Sequence, residues 1–336
     1  MNQHSESPTT PTPLEGPIGV VGGGAVGGWL ATQMKNHGWD VSLLLRPNTA
    51  GYPEAIDYQV SGVGFGDLRE TIPCAAADAS GEPLRWLFLA LKAGDMEQAA
   101  HQLAHRINSD TRLVFPGNGL DLTAPFATLA SDRFLVASTT YGLFRESRTQ
   151  ISVRGAAGEI SVGPDSSYAS SSYPSAAEDA RHLTAALQAL GLRTRQVASG
   201  SAVMWQKAIL SAGLNPVCAL LGIENGQLPA SEGFPLALEA SSEAIKVASA
   251  EGLDMSSMSS PVVIETSLKE LCEKTATNRC SMLQDLDSGE STEVNWISGV
   301  VVRLGKKNNI PTPVNQLLLD MVKGVSVGTL SPVSLN

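Results

Sequence analysis

Lys207, Ser211 and Asn215 stand four residues apart in the apolar stretch Ala202–Leu221, whose periodicity is helical. On a helix that spacing lines all three along one narrow polar stripe. Ile209, Leu210, Leu214, Val217, Leu220 and Leu221 surround it, so the helix is expected to be largely buried. Buried polar groups need partners. A buried ammonium is driven toward a lower pKa or toward an anion, and such a lysine can act as a general acid. The spacing alone leaves a second reading open, a lysine snorkelling from the helix with Ser211 and Asn215 bonded to nearby backbone. Pro216 cannot donate to the carbonyl of Ala212, so a kink is expected there.

The second group is Gly22-x-Gly24-x-x-Gly27, which follows the apolar run Ile18–Val21 and precedes a helical pattern. The spacing fits the first strand-to-helix turn of a dinucleotide-binding fold: Gly22 for the tight turn, Gly24 for approach of a pyrophosphate, Gly27 for close helix packing. Amides at the helix start, including those of Ala25 and Val26, would face the phosphates. A third group lies in Cys280–Gly299. Ser281 and Asp285 share a helical face, and Ser291 or Thr292 is placed to cap a helix with Glu293 and Asn295 in its first turn. A glutamate there is often only a partner of the helix dipole.

The elements that must position these groups follow in order. Ala25–Asn36 is expected to be a helix ended by His37-Gly38, and Val41–Leu45 a strand with Arg46 at its end. No carboxylate occupies Ser42–Asn48, where an NAD-preferring chain carries one for the ribose hydroxyl. Arg46 is then either a surface arginine or the partner of a 2′-phosphate, and the second reading favours NADP. Tyr52–Thr71 is read as a hairpin excursion. Trp86–Leu91 is read as a buried parallel strand ending at Lys92, followed by a helix over Met96–Ile107. Strands are expected at Thr111–Phe115 and Phe134–Thr139, and two antiparallel strands over Ile151–Val162 about a Gly155–Gly158 turn. Ala176–Leu190 reads as a helix and Arg193–Val197 as a last strand. After Ser199 only helical patterns follow: Pro235–Glu251, Pro261–Lys274, one near Met282, Glu293–Lys307 and Val314–Val322. The fold class is therefore α/β, an N-terminal Rossmann-type dinucleotide-binding domain plus a C-terminal all-helical domain. Residues 1–16 are expected to be a disordered tail, 17–199 the nucleotide-binding domain and 200–336 the helical substrate domain.

Composition sets limits. The 336 residues suit two domains, and a net charge of -10 without a basic block argues against nucleic acid or an anionic membrane as partner. The four cysteines form no Cys-x-x-Cys pair, which favours reduced thiols in the cytoplasm over a disulfide framework, and no metal site is expected. No apolar run is long enough to span a membrane. The helical part could offer an apolar face to a homodimer.

Taken in order, these motifs resemble the ketopantoate reductase (2-dehydropantoate 2-reductase) family over nearly the whole chain after the tail. The resemblance is carried by the glycine turn, Arg46, Lys92 closing WLFLALK, Asn118-Gly119, Trp205-Gln206-Lys207, Asn215-Pro216, SMLQD from Ser281, Thr292-Glu293, Gly305 and Ile310-Pro311-Thr312-Pro313. It implies NADPH-dependent reduction of 2-ketopantoate to pantoate, on the way to pantothenate and coenzyme A, in an active site between the domains that closes to exclude water. On that resemblance Lys207 is the general acid and Glu293 the weaker catalytic assignment, which also touches cofactor. Gly22, Gly24, Ala25, Val26, Gly27, Arg46, Lys92 and Asn118 would bind NADP(H). Asn118, Lys207, Ser211, Asn215 and Ser281 would bind substrate. Three departures stand out: Ser211 where a second Asn is common, Cys218 for Thr, and Tyr141 for His. Ser211 keeps alive the same chemistry on another small 2-oxo acid. A non-catalytic NADP-binding redox sensor is the rival of another class.

Overall fold

The computed structural model describes residues 14–46, 53–129, 133–154, 158–165 and 175–326. Most of the N-terminal stretch and the Gly155–Ala157 part of the expected turn lie outside them. Leu14 is buried against the first core.

Contacts divide the chain into two units. Among the described residues, one holds those up to Gly117 and then those within Leu122–Ser201; the other holds Asn118–Asp121 and those from Ala202 onward.

In the first unit, β1 (Ile18–Val21) pairs in parallel with β2 (Val41–Leu45) on one side and β5 (Trp86–Leu89) on the other. All residues of β1 and β5 are buried, which is why both read as continuous apolar runs. With β4 (Gly66–Ala76), β6 (Arg112–Phe115) and β7 (Phe134–Thr139), the parallel core runs β4-β2-β1-β5-β6-β7. That is the doubly wound dinucleotide-binding order, and it reverses at β1 and β5. Helix α1 (Ala25–Asn36) buries Trp29, Leu30 and Met34. Its end is closed by Gly38 at φ +76, whose N–H bonds to Lys35 O at 2.8 Å.

The expected hairpin excursion is β3 (Ala55–Gly62) paired antiparallel with β4. The expected pairing over Ile151–Val162 is corrected. Strand β9 (Gln150–Arg154) pairs antiparallel with β8 (Gly142–Arg145) and parallel with β3, whereas β10 (Ile160–Pro164) pairs with β7 and with β11 (Thr194–Gln196). The two segments therefore sit near opposite ends of a sheet of eleven strands among the described residues. Alternating apolar residues about a glycine turn satisfy local pairing rules, but here each strand finds a distant partner. Helix α2 (Met96–Leu103) follows β5 in sequence and α3 (Ala176–Ala189) follows β10.

The second unit is helical: α4 (Gly200–Leu221), whose first two residues belong to the first unit, α5 (Phe234–Ala250), α6 (Pro261–Lys274), α7 (Ser281–Asp287), α8 (Ser298–Lys307) and α9 (Pro313–Ser326). Helix α4 continues through Pro216. The expected helix from Glu293 instead opens as a 3-10 turn, Val294–Trp296, with α8 starting at Ser298. Glu243 on α5 fixes the start of α9. Its buried carboxylate accepts the Val314 and Asn315 backbone N–H groups, both at 2.9 Å, and the Asn315 Nδ2 at 2.8 Å. Helix N-termini present unpaired N–H groups, and a carboxylate there satisfies them and suits the dipole. Glu243→Ala is expected to cost about 2–4 kcal/mol, because it strands several buried donors at once. A urea midpoint unchanged within error would contradict this.

Candidate active site

The glycine turn leaves β1 at the edge where the strand order reverses. Gly22 has φ +97, and its N–H bonds to Leu44 O at 3.0 Å. A Cβ on Gly22 would lie 2.5 Å from Ala90 O, and one on Gly27 would lie 2.0 Å from Gly22 O. Neither can be accommodated, so residue type is dictated by backbone packing at both positions. Gly24 differs: a Cβ there would meet nothing within 4 Å. Open space beside the first helical amides is what a pyrophosphate needs. The Tyr58 hydroxyl, from β3, donates to Gly23 O at 2.8 Å and braces the turn from outside. No local sequence signal pointed to Tyr58.

Arg46 and Lys92 lie past the C-terminal ends of β2 and β5, on this same edge, and both are exposed. Arg46 forms an ion pair with Asp95, in the 3-10 turn that follows Lys92. Asp95 lies far in sequence from the Ser42–Asn48 stretch, which holds no carboxylate.

In the second unit, Lys207, Ser211 and Asn215 are all half-buried, while Ala208, Ile209, Ala212, Gly213, Leu214 and Pro216 around them are buried. The stripe is therefore the partly open face of an otherwise enclosed helix. Its backbone is held from behind. Ser241 of α5 donates to Ile209 O at 2.9 Å, and a Cβ on Gly213 would meet Ala237 O at 2.5 Å. Burial lowers the Lys207 pKa to about 8, and the charge of Glu293 opposes that shift by raising it. The structure thus brings Lys207 and Glu293 into electrostatic reach. Glu293 is half-buried and precedes the Val294–Trp296 turn. Trp296 O accepts the Leu120 N–H at 2.9 Å, so the Asn118–Asp121 segment is tied to that turn, and an Arg303–Asp121 ion pair secures it. Asn118 itself is exposed. Ser281 opens α7, and the preceding Cys280 Sγ donates to Asn215 O at 3.5 Å, which places Ser281 beside the far end of the stripe.

Burial raises the thiols of Cys218, Cys272 and Cys280, the latter two to about 11, so they are poor nucleophiles. Tyr141 is a core residue: its ring packs 5.2 Å from Trp29 between centroids, and its hydroxyl accepts the Arg193 N–H at 3.0 Å. Among the described residues no cluster of His, Cys, Asp and Glu could hold a metal ion, and no helix is long and apolar enough to cross a membrane.

Models of the ketopantoate reductase PanE/ApbA family match residues 18–167 and, for its C-terminal part, 201–326. The chain belongs to the ketopantoate reductase family. It is similar to a 2-dehydropantoate 2-reductase of Halobacterium salinarum, 31% identical over 77% of this chain and 82% of that one. A 2-dehydropantoate 2-reductase of Archaeoglobus fulgidus is 26% identical over 93% and 98%. In fold it is similar to a ternary structure of D-mandelate dehydrogenase with NADH and anilino(oxo)acetate, with a TM-score of 0.80 at 19% identity, covering 93% of this chain and 99% of that one. Membership makes the chain an oxidoreductase of a dinucleotide-dependent family.

The two glycines separate folding from binding. Gly27→Ala is expected to lower thermal stability, since its Cβ has no room. Gly24→Ala is expected to fold normally and to weaken dinucleotide binding by about tenfold or more, because the methyl group would occupy the open space beside the first helical amides. Equal melting-temperature losses in the two variants would contradict this account.

Proposed function

We propose that this chain reduces 2-ketopantoate to pantoate with NADPH, with Lys207 as general acid. The observation that carries the reading is the half-buried Lys207, with its pKa near 8 and Glu293 within electrostatic reach. The curated relatives named for this activity support the choice of substrate.

The glycine turn fits a dinucleotide: Gly22 and Gly27 seal the backbone, and the space at Gly24 stays open. Gly22, Gly24, Ala25, Val26 and Gly27 would hold the pyrophosphate, Arg46 the 2′-phosphate, and Lys92 and Asn118 the nicotinamide ribose. The reduced nicotinamide, when bound, supplies a hydride. Asn118, Ser211, Asn215 and Ser281 would orient the carboxylate, hydroxyl and carbonyl groups of the 2-oxo acid. Lys207 donates its proton to the carbonyl oxygen as the adjacent carbon accepts hydride. The new O–H bond takes the lysine proton, and the neutral amine regains one from water. The ammonium also stabilises negative charge as it develops on that oxygen, an effect strongest where water is scarce. Glu293 keeps Lys207 protonated at neutral pH by opposing the burial effect, and contributes to the cofactor side of the site.

Ser211 supports a second reading, the same reduction of another small 2-oxo acid. Its hydroxyl reaches less far than an asparagine amide and offers one donor, so the stripe accommodates a bulkier or less polar substituent there. A panel of 2-oxo acids, followed by NADPH oxidation, decides between the two. Preference for ketopantoate supports the first, and preference for another acid the second.

Lys207→Ala is expected to lower kcat for reduction about 10²–10⁴-fold, the usual range for a lost general acid. Loss confined to KM would contradict the assignment. Reduction needs the protonated lysine, so kcat/KM should hold below about pH 8 and fall above it. Glu293→Gln removes the charge that raises the Lys207 pKa, so this alkaline limb should move to lower pH. A limb that stays in place, or moves up, would show that Glu293 does not tune the lysine.

A further inference from the structure

Arg46 and Asp95 are far apart in sequence, and the strand order explains how they meet. β2 and β5 flank β1 on opposite sides and run parallel to it. Their C-terminal ends are thus two strand spacings apart, roughly 9–10 Å. Arg46 immediately follows β2, and Asp95 lies six residues beyond β5, at the end of the 3-10 turn Ala93–Asp95. The ion pair between them therefore spans the end of β1, the strand that runs into the glycine turn. Arg46 is 57% exposed and Asp95 23% exposed, so the carboxylate is the more fixed partner.

We infer that Asp95 is a specificity-determining residue that occupies the Arg46 guanidinium in place of a 2′-phosphate and so narrows the preference for NADPH over NADH. This inference rests on the reading of Arg46 as the 2′-phosphate partner. A dianionic phosphate must displace the carboxylate from the guanidinium and then stay close to it, and both steps weaken binding. A ribose 2′-hydroxyl has no such conflict. It can donate to the same carboxylate, the role that an acidic residue after the second strand plays in NAD-binding chains. The acidic group missing from Ser42–Asn48 is thus supplied from the far side of β1. The result is a site that carries both determinants at once, an arginine for phosphate and a carboxylate for hydroxyl.

The test is equilibrium binding of NADPH and of NADH to the full chain, followed by nucleotide fluorescence at low ionic strength, for the unmodified protein, Asp95→Asn and Arg46→Gln. Asp95→Asn should tighten NADPH and raise the NADPH-over-NADH affinity ratio by about threefold to tenfold, the scale of an exposed ion pair with added charge repulsion. NADH binding should be retained, which also shows that the turn is intact. Arg46→Gln should lower the same ratio. If Arg46→Gln lowers the ratio while Asp95→Asn leaves it unchanged or lowers it, Arg46 binds the phosphate but Asp95 does not set selectivity, and the inference fails alone. If Arg46→Gln leaves the ratio unchanged, the phosphate reading fails and the inference falls with it.

Discussion

The helical unit is organised around a half-buried cation. At neutral pH the fold holds Lys207 where burial disfavours its charged form, with the Glu293 charge recovering part of the loss. The folded-state pKa near 8 is below the ordinary lysine value of 10.5. The unfolded chain therefore binds the proton more tightly, and the lysine costs stability below about pH 8. That cost fades as pH rises from 8 toward 10.5. A fold keeps such a residue only if the surrounding scaffold compensates. The compensation is visible in α4 itself, with its buried apolar sides, the close crossing of α5 at Gly213 and the bond from Ser241 to Ile209 O.

The same logic explains the supporting polar contacts. Within the first unit, buried Asp165 accepts bonds from Thr123 Oγ at 2.9 Å and Ser201 Oγ at 2.5 Å. Glu243 holds α9 in register on α5. Leu120 ties the Asn118 segment to the turn beyond Glu293. Each is a charged or backbone group satisfied at a segment end, where orphan donors and acceptors would otherwise be costly.

What the sequence revealed depended on the range of the physics. The left-handed φ of Gly22 and the clash of a Gly27 Cβ with Gly22 O are both local, so spacing alone located the turn. The stripe on α4 was legible because helical periodicity is local. Pairing of β9 with β8 and β3 was not, since alternation within Ile151–Val162 satisfies several registers equally. Asp95 escaped for a related reason: only the order β5-β1-β2 puts it opposite Arg46. Tyr58 and Glu243 carry no motif, and their roles exist only once distant strands and helices are assembled.

The central claim concerns the protonation state of one amine, and it can be measured without substrate. Lysine side-chain NMR titration, with the Lys207 signal assigned by its loss in Lys207→Met, reports that pKa directly. The account predicts a midpoint near 8. A midpoint at the ordinary value near 10.5 would mean that Lys207 is solvated, that Glu293 has nothing to oppose, and that α4 does not hold a poised acid.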